Sequence, residues 1–332
     1  MGGSNGNLDF RMSNQVTEKP SMDAGSDRPL VTFALFAYNQ EAYIRDAVEG
    51  ALAQSYEPLE IILSDDCSTD RTFEIMQEMA VAYRGIGKVV LRRNQTNMGL
   101  ANHINAVAAL AKGELIVVAA GDDVSYPQRA EKLTEAWLNS GRRILALESL
   151  YRDIDQDSNA IETMTKWSPS KAPDITSFAH SNGFVVGATA AYDRRLFLEF
   201  PPLGQHVVHE DRVLPFRALL LRGDIGSIDI CLLDYRRNIG LSKSYKSQRA
   251  MDSTEYSRRA LSDNIQKLID SNHVRRPEVG VILANNIARY SAEIFAQTSP
   301  NNFRNIYRMI RCSGLYWGLR AVAKSIFGFM RN

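Results

Sequence analysis

Cysteine is scarce: Cys67, Cys231 and Cys312 are the only three in 332 residues, far apart and without a CxxC or Cys/His pairing. That supports neither a disulfide framework nor a structural zinc site, and a reducing cytoplasm is the natural compartment. An excess of one charge is also missing, since 39 Lys and Arg stand against 38 Asp and Glu. Such a balance argues against nucleic acid as the main partner, although a sum over the chain can hide local patches. No window approaches the roughly 18 uncharged residues a transmembrane helix needs. The first 28 residues are rich in Gly, Ser, Asn and Asp and lack the apolar run of a signal peptide, so they read as a disordered leader. What remains is 45% apolar over the whole chain, enough for one large α/β domain with a helical extension or for two domains.

From Leu30 the pattern becomes regular. An apolar run to Tyr38, a helix-like Glu41 to Gln54 and a second run Leu59 to Ser64 lead to the acidic turn Asp65-Asp66-Cys67-Ser68-Thr69-Asp70. A helix to Tyr83, a strand Lys88 to Arg92, a helix Leu100 to Ala111 and a buried strand Glu114 to Ala120 follow. Alternation of this kind predicts a mostly parallel sheet whose ligands bind beyond the carboxyl ends of its strands. The polar signals stand at those ends: Tyr38-Asn39, Asp65-Asp66 and Gly121-Asp122-Asp123. Downstream we expect a helix from Pro127 to Ser140, a loop from Tyr151 to Pro173, a strand Phe184 to Tyr192, a helix Glu210 to Leu221, a strand Ile225 to Tyr235 and mainly helices from Tyr245.

Several groups carry chemistry, each with a plainer alternative. Asp122 and Asp123 follow an apolar strand and offer the hard oxygen ligands that Mg²⁺ or Mn²⁺ takes beside a diphosphate, but Asp-Asp also makes a turn and a helix cap. Asp65 and Asp66 can accept hydrogen bonds from a base or ribose, or form another acidic turn. Glu210 and Asp211 can act as a general base toward a hydroxyl, yet acids are favoured in any first helical turn. Asn97-Met98-Gly99-Leu100-Ala101-Asn102 offers a permissive glycine and amides before a helix, as a turn would. His206 and His209 lack a convincing third metal ligand. Gly85-Ile86-Gly87 has Val90 where a third glycine is needed and no GxxxxGK[ST] occurs, which disfavours a Rossmann dehydrogenase and a P-loop NTPase.

Taken in order, Phe36-Ala37-Tyr38-Asn39-Gln40-Glu41, Ser64-Asp65-Asp66-Cys67-Ser68-Thr69-Asp70, Asn97-Met98-Gly99, Ala111-Lys112-Gly113-Glu114 and Gly121-Asp122-Asp123 resemble an inverting family 2 glycosyltransferase of the GT-A fold, over about Leu30 to Ser242. The resemblance implies a nucleotide-binding α/β sheet flanked by helices over 29–242, with a mainly helical extension over 243–332. It implies that Ala37, Tyr38, Asn39 and Glu41 line the base and ribose of a nucleotide sugar, with Asp65 bonding the base and Asp66, Gly99, Asn102 and Gly121 in the same donor site. Asp122 and Asp123 would hold Mn²⁺ or Mg²⁺ on the diphosphate. Asp211, with Glu210, would be the base that deprotonates the acceptor hydroxyl. Gly187 would shape the acceptor side, and Arg236 would approach the diphosphate. Two departures stand out: Ala120 where the metal motif often carries a further aspartate, and Cys67 where a glycine is usual. The absence of a Gln-x-x-Arg-Trp element favours single addition over processive synthesis. UDP is the commonest donor nucleotide of such proteins. The other readings are a catalytically idle carbohydrate-binding relative and a nucleotidyltransferase, which expects a glycine-rich basic loop where Tyr38-Asn39-Gln40-Glu41 stands.

The end of the chain breaks the charge balance. Phe303 to Arg331 holds Arg304, Arg308, Arg311, Arg320, Lys324 and Arg331 with no Asp or Glu, interleaved with Tyr307, Tyr316, Trp317, Phe327 and Phe329. A basic amphipathic helix of this kind can lie on an anionic membrane, where a lipid-linked glycan acceptor would be found, or pack on protein. The expected partners are therefore a nucleotide-sugar donor, a saccharide or lipid-linked acceptor and a peripheral membrane contact, with a location in the cytoplasm or at its membrane face.

Overall fold

A computed structural model describes residues 28–165, 174–181, 185–237, 239 and 253–298. The expected leader up to residue 27 and the basic stretch from Phe303 lie outside the described residues.

Strand β1 (Val31–Ala37), helix α1 (Ile44–Leu52), β2 (Leu59–Asp65), α2 (Thr72–Ala82), β3 (Lys88–Arg93), α3 (Gly99–Leu110) and β4 (Leu115–Ala120) alternate as the sequence predicts. They build a parallel half-sheet in which β1 pairs β2 and β4, and β2 pairs β3. The strands are buried almost continuously, and alternate residues face opposite cores. Val31, Phe33 and Leu35 face a core made with Ile44, Val48, Leu133 and Trp137, while Ala34, Ile62 and Ile116 face Val107 and Ala108 of α3. Both faces are thus covered, as continuous apolar runs in parallel strands require.

The second half adds β5 (Val124–Ser125), α4 (Arg129–Asn139), β6 (Ile144–Ile154), β7 (Ala160–Thr165), α5 (Ile175–Ser181), β8 (Ala191–Asp193), α6 (Arg195–Leu198), α7 (Glu210–Leu220), β9 (Asp224–Arg236), α8 (Ser253–His273) and α9 (Pro277–Thr298). The sheet order is β3-β2-β1-β4-β8-β6-β9-β5, with β7 paired to β6. Strand β8 runs antiparallel to both β4 and β6, and β9 runs parallel to β6. The carboxyl ends of β1, β2, β4, β6 and β9 therefore share one edge.

Two expectations need correction. Tyr151 to Ile154 continues β6, and Ala160–Thr165 returns as β7, so part of the expected loop is a hairpin. Its turn holds Asp155, whose carboxylate accepts the amides of Asp157 and Asn159, and such polar turn residues disguise the strands on either side. Of the expected strand Phe184 to Tyr192, the described residues from Val185 are strand only from Ala191; a 3₁₀ turn, Gly187–Thr189, precedes it. The amides of Val185 and Val186 bond to the Asp211 carbonyl at 3.1 Å and the Glu148 carboxylate at 2.8 Å rather than to a strand.

Helices α8 and α9 close the structure behind α7. Val279 and Leu283 join Phe178, Val213 and Phe216 in one apolar cluster, and Arg217 of α7 forms a buried two-point ion pair with Asp270 of α8.

Candidate active site

A cleft of about 680 Å³ opens at the shared strand edge. Ala37, Tyr38 and Gln40 line it after β1, Asp66 after β2, Asn97 and Gly99 at the start of α3, and Asp122 and Asp123 after β4. Gly187, Glu210 and Asp211 form the opposite wall. Ligands of open α/β sheets bind at this edge because the strand-to-helix loops converge there.

Asp122 and Asp123 stand beside each other in a poorly hydrated position. Burial pushes both carboxyls above their ordinary range, and the charge of Asp122 raises Asp123 further. The Gln40 side chain donates to Asp122, and the Arg236 amide donates to Asp123 Oδ1 at 2.8 Å. Asp123 Oδ2 is buried with no hydrogen-bond partner. Adjacent buried carboxylates with a free oxygen suit a hard divalent cation, which typically takes one or two protein carboxylates and completes its shell with phosphate oxygens and water. Among the described residues no cluster of three or more His, Cys, Asp or Glu forms a self-contained metal cage, so the rest of the shell would come from substrate and water.

Arg236 is placed differently from the expectation that it approaches the diphosphate. It is 1% exposed, and its guanidinium donates to the carbonyls of Asp122, Asp155 and Gln156 and to Ser158, over the ring of Tyr43 at 4.7 Å. With its donors engaged it clamps the Asp122–Asp123 loop to the β6–β7 hairpin. Its neighbour Arg237 lines the cleft instead, its guanidinium bonded to Asp153.

The ends of β1 and β2 divide in the same way. Asp66 reaches the cleft and orders its far lip, accepting from Asn94 and from the amides of Met98 and Gly99. Gly99, at φ +73°, supplies a left-handed turn that L side chains rarely adopt. Asp65, fully buried, instead accepts from the Ser68 amide and hydroxyl and faces Arg93 at 3.3 Å. Asn39 and Glu41 accept the amides of Thr69 and Arg71, tying one loop to the next. Asn102 donates to the Met98 carbonyl, and a Cβ on Gly121 would stand 2.5 Å from Gln40 Oε1. Asp65, Asn39, Glu41, Asn102 and Gly121 thus shape the donor half without lining it. Cys67 sits at φ 63°, which explains why glycine suits that turn and costs a β-carbon about 1 kcal/mol. His103, which the sequence did not single out, lines the cleft with Nε2 2.6 Å from Ser64 Oγ; burial drives its pKa down to about 4, so it stays neutral.

On the opposite wall Glu210 and Asp211 begin α7. Pro215 lies inside this helix and has no N–H to give the Asp211 carbonyl four residues back. That carbonyl is free to take the Val185 amide at 3.1 Å, which docks the Gly187 turn against the acids. A Cβ at Gly187 would come within 2.7 Å of Glu210 Oε1, so any side chain there would push the Glu210 carboxyl aside. Burial pushes Glu210 up to about 8 and Asp211 up to about 6; the nearby His209 and Arg212 restrain Asp211. Asp211 Oδ1 has no hydrogen-bond partner. Glu148, 2% exposed on β6, adds a third acid raised by burial to about 7, and fully buried Tyr192 lies near all three. A polar residue in the middle of an apolar strand was the only sequence signal for Glu148.

A nucleotide-sized cleft at this edge, acids on both walls and a glycine-shaped turn define the class. The profile described as Glycosyl transferase family 2 matches residues 32–200, and the chain belongs to that family. Membership of this family disfavours the nucleotidyltransferase reading. A chondroitin synthase of Escherichia coli is 32% identical over 152 residues, 45% of this chain and 21% of that protein. The chain likewise spans only 37% and 25% of the length of other curated relatives it matches. Two solved structures share the GT-A fold at 16% identity and TM-score 0.55. One is Staphylococcus aureus TarS 1–349 in complex with UDP-GlcNAc, covering 90% of this chain and 91% of that one. The other is the Pyrobaculum calidifontis mannosyltransferase PcManGT with GDP-Man and Mn²⁺, covering 90% and 87%.

Proposed function

We propose that the protein transfers one sugar from a nucleotide sugar to a hydroxyl of a saccharide or lipid-linked glycan, inverting the anomeric carbon, in surface polysaccharide or glycan assembly. The observation that carries this is the pair of unpartnered carboxylate oxygens, Asp123 Oδ2 and Asp211 Oδ1, on opposite walls of one cleft. Asp122 and Asp123 would hold Mn²⁺ or Mg²⁺, which supplies positive charge for the departing diphosphate. Ala37, Tyr38, Asp66 and Gly99 form the donor floor. Asp211 takes the acceptor proton as the hydroxyl oxygen bonds to the anomeric carbon and the carbon–oxygen bond to the diphosphate breaks. Glu210, raised further by burial, stays protonated beside it at neutral pH.

We draw the catalytic unit as 29–242, backed by the helices that follow. Among the described residues no helix is long and apolar enough to cross a membrane; the basic stretch from Phe303 would place the enzyme on the cytoplasmic face. The UDP-GlcNAc bound to TarS and the GDP-Man bound to PcManGT support UDP or GDP as the donor nucleotide. The test is release of UDP from UDP-GlcNAc or of GDP from GDP-Man with a mixed glycan acceptor pool. Turnover should vanish in EDTA and return with Mn²⁺ or Mg²⁺; turnover unchanged by EDTA removes Asp122 and Asp123 from the metal role.

A further inference from the structure

The loop that enters α7 is held by a residue from α8, outside the residues the family profile matches. Asp263 is fully buried. One of its oxygens lies 2.7 Å from His209 Nδ1, and the other accepts the amides of Val208 and His209 at 3.4 and 3.3 Å. Arg212 approaches it at 3.9 Å. His209 itself lines the cleft and immediately precedes Glu210.

Resting on the reading of Asp211 as base, we propose that Asp263 is a positioning residue for the acid pair. It fixes the backbone entering α7, and it holds His209 with its proton on Nδ1, so that Nε2 is the ring nitrogen left for the acceptor side of the cleft. The tautomer follows from chemistry: an ionised carboxylate only accepts, so the bond at 2.7 Å requires Nδ1–H. Position matters because Asp211 must meet the acceptor oxygen at hydrogen-bond distance, and the helix start that carries it has no side-chain cap of its own. The groups facing Asp211 are Glu210, His209 and Arg212 on and before α7, Glu148 on β6, Tyr192 on β8, and Asp263 and Lys267 on α8.

The experiment compares the wild type with Asp263→Asn and His209→Gln in the full chain. Nitrogen-15 NMR should find the His209 proton on Nδ1 in the wild type and on Nε2 in Asp263→Asn, whose amide can donate where the carboxylate accepted. With whichever of UDP-GlcNAc and GDP-Man turns over, kcat of Asp263→Asn should fall about 10²-fold, the scale of a small misplacement of reacting groups, with KM for the donor unchanged. In His209→Gln, which lacks the ring nitrogen that Asp263 holds, kcat should likewise fall with KM for the donor unchanged. A wild-type ring carrying its proton on Nε2, an Asp263→Asn enzyme with wild-type kcat, or kcat and donor affinity falling together overturns the proposal. If Asp263→Asn does not fold, wild-type kcat in His209→Gln overturns it. Normal turnover by Asp211→Asn defeats the base assignment instead, and leaves the NMR result standing.

Discussion

Asp211→Asn should inactivate the protein and stabilise it at the same time. The folded carboxyl is raised from 3.8 to about 6, mainly by burial, so above that pH the ionised form sits less comfortably in the folded state than in the unfolded chain. A shift of two units corresponds to about 3 kcal/mol at most. The carboxylate keeps some solvent contact, so we expect a gain of about 1–2 kcal/mol at pH 8, or roughly 2–8 °C in Tm for a domain of this size. The sign is specific. A carboxyl with a raised folded pKa destabilises when ionised, so the gain should shrink as pH falls through about 6 and disappear below the unfolded value of 3.8. Meanwhile removal of a general base should lower kcat by about 10²–10⁴-fold. Differential scanning at pH 8 and pH 4, with turnover measured on the same preparation, checks both. A variant that loses activity together with Tm at pH 8 would show that Asp211 holds the structure rather than the acceptor proton.

Gly187→Ala tests the opposite side of the same contact: a Cβ 2.7 Å from Glu210 Oε1 should displace the acid pair and lower kcat while UDP or GDP binding, measured by calorimetry with Mn²⁺, stays within about twofold of wild type. Weakened nucleotide binding with intact kcat would place Gly187 on the donor side. For the chain end, flotation with anionic liposomes should be strong for the intact protein and lost in the triple variant Arg304→Glu, Arg308→Glu, Arg311→Glu, since each basic residue near such a surface contributes about 1 kcal/mol. Equal flotation would reject the membrane contact.

The parallel half of the sheet was legible because strand and helix periods differ and each polar cluster fell at a strand end. Register within the clusters was not legible. Asp65 and Asp66 are adjacent letters, but successive strand-end side chains leave in opposite directions, so one reaches the cleft and the other meets Arg93. Arg236 and Arg237 divide by the same rule, and there the sequence favoured the wrong one for the cleft. Asp263 was invisible for another reason. A polar residue on a helix rich in polar residues looks solvated until α7 and α8 are packed together, and no local period marks a buried acid whose partner lies 54 residues earlier.

The two acid pairs meet different surroundings. On the donor wall, Arg129 and Arg236 are buried close to Asp123, but their hydrogen-bond donors are largely engaged by carbonyls, leaving Asp123 Oδ2 unmatched. On the proposed function an arriving cation would be the missing charge there, coupling its binding to the ligand. Around Asp211 the compensation is built in: Arg212 and Lys267 lie near it, with Lys267 fully buried over Phe178 and Phe216 and brought down by burial to about 8. A base must be ionised before the acceptor hydroxyl arrives, whereas a metal site is completed by the substrate that carries the diphosphate. On the proposed roles, built-in basic groups near Asp211 and an exchangeable cation beside Asp122 and Asp123 would serve the two needs, and α8, outside the matched residues, contributes Lys267 to the first.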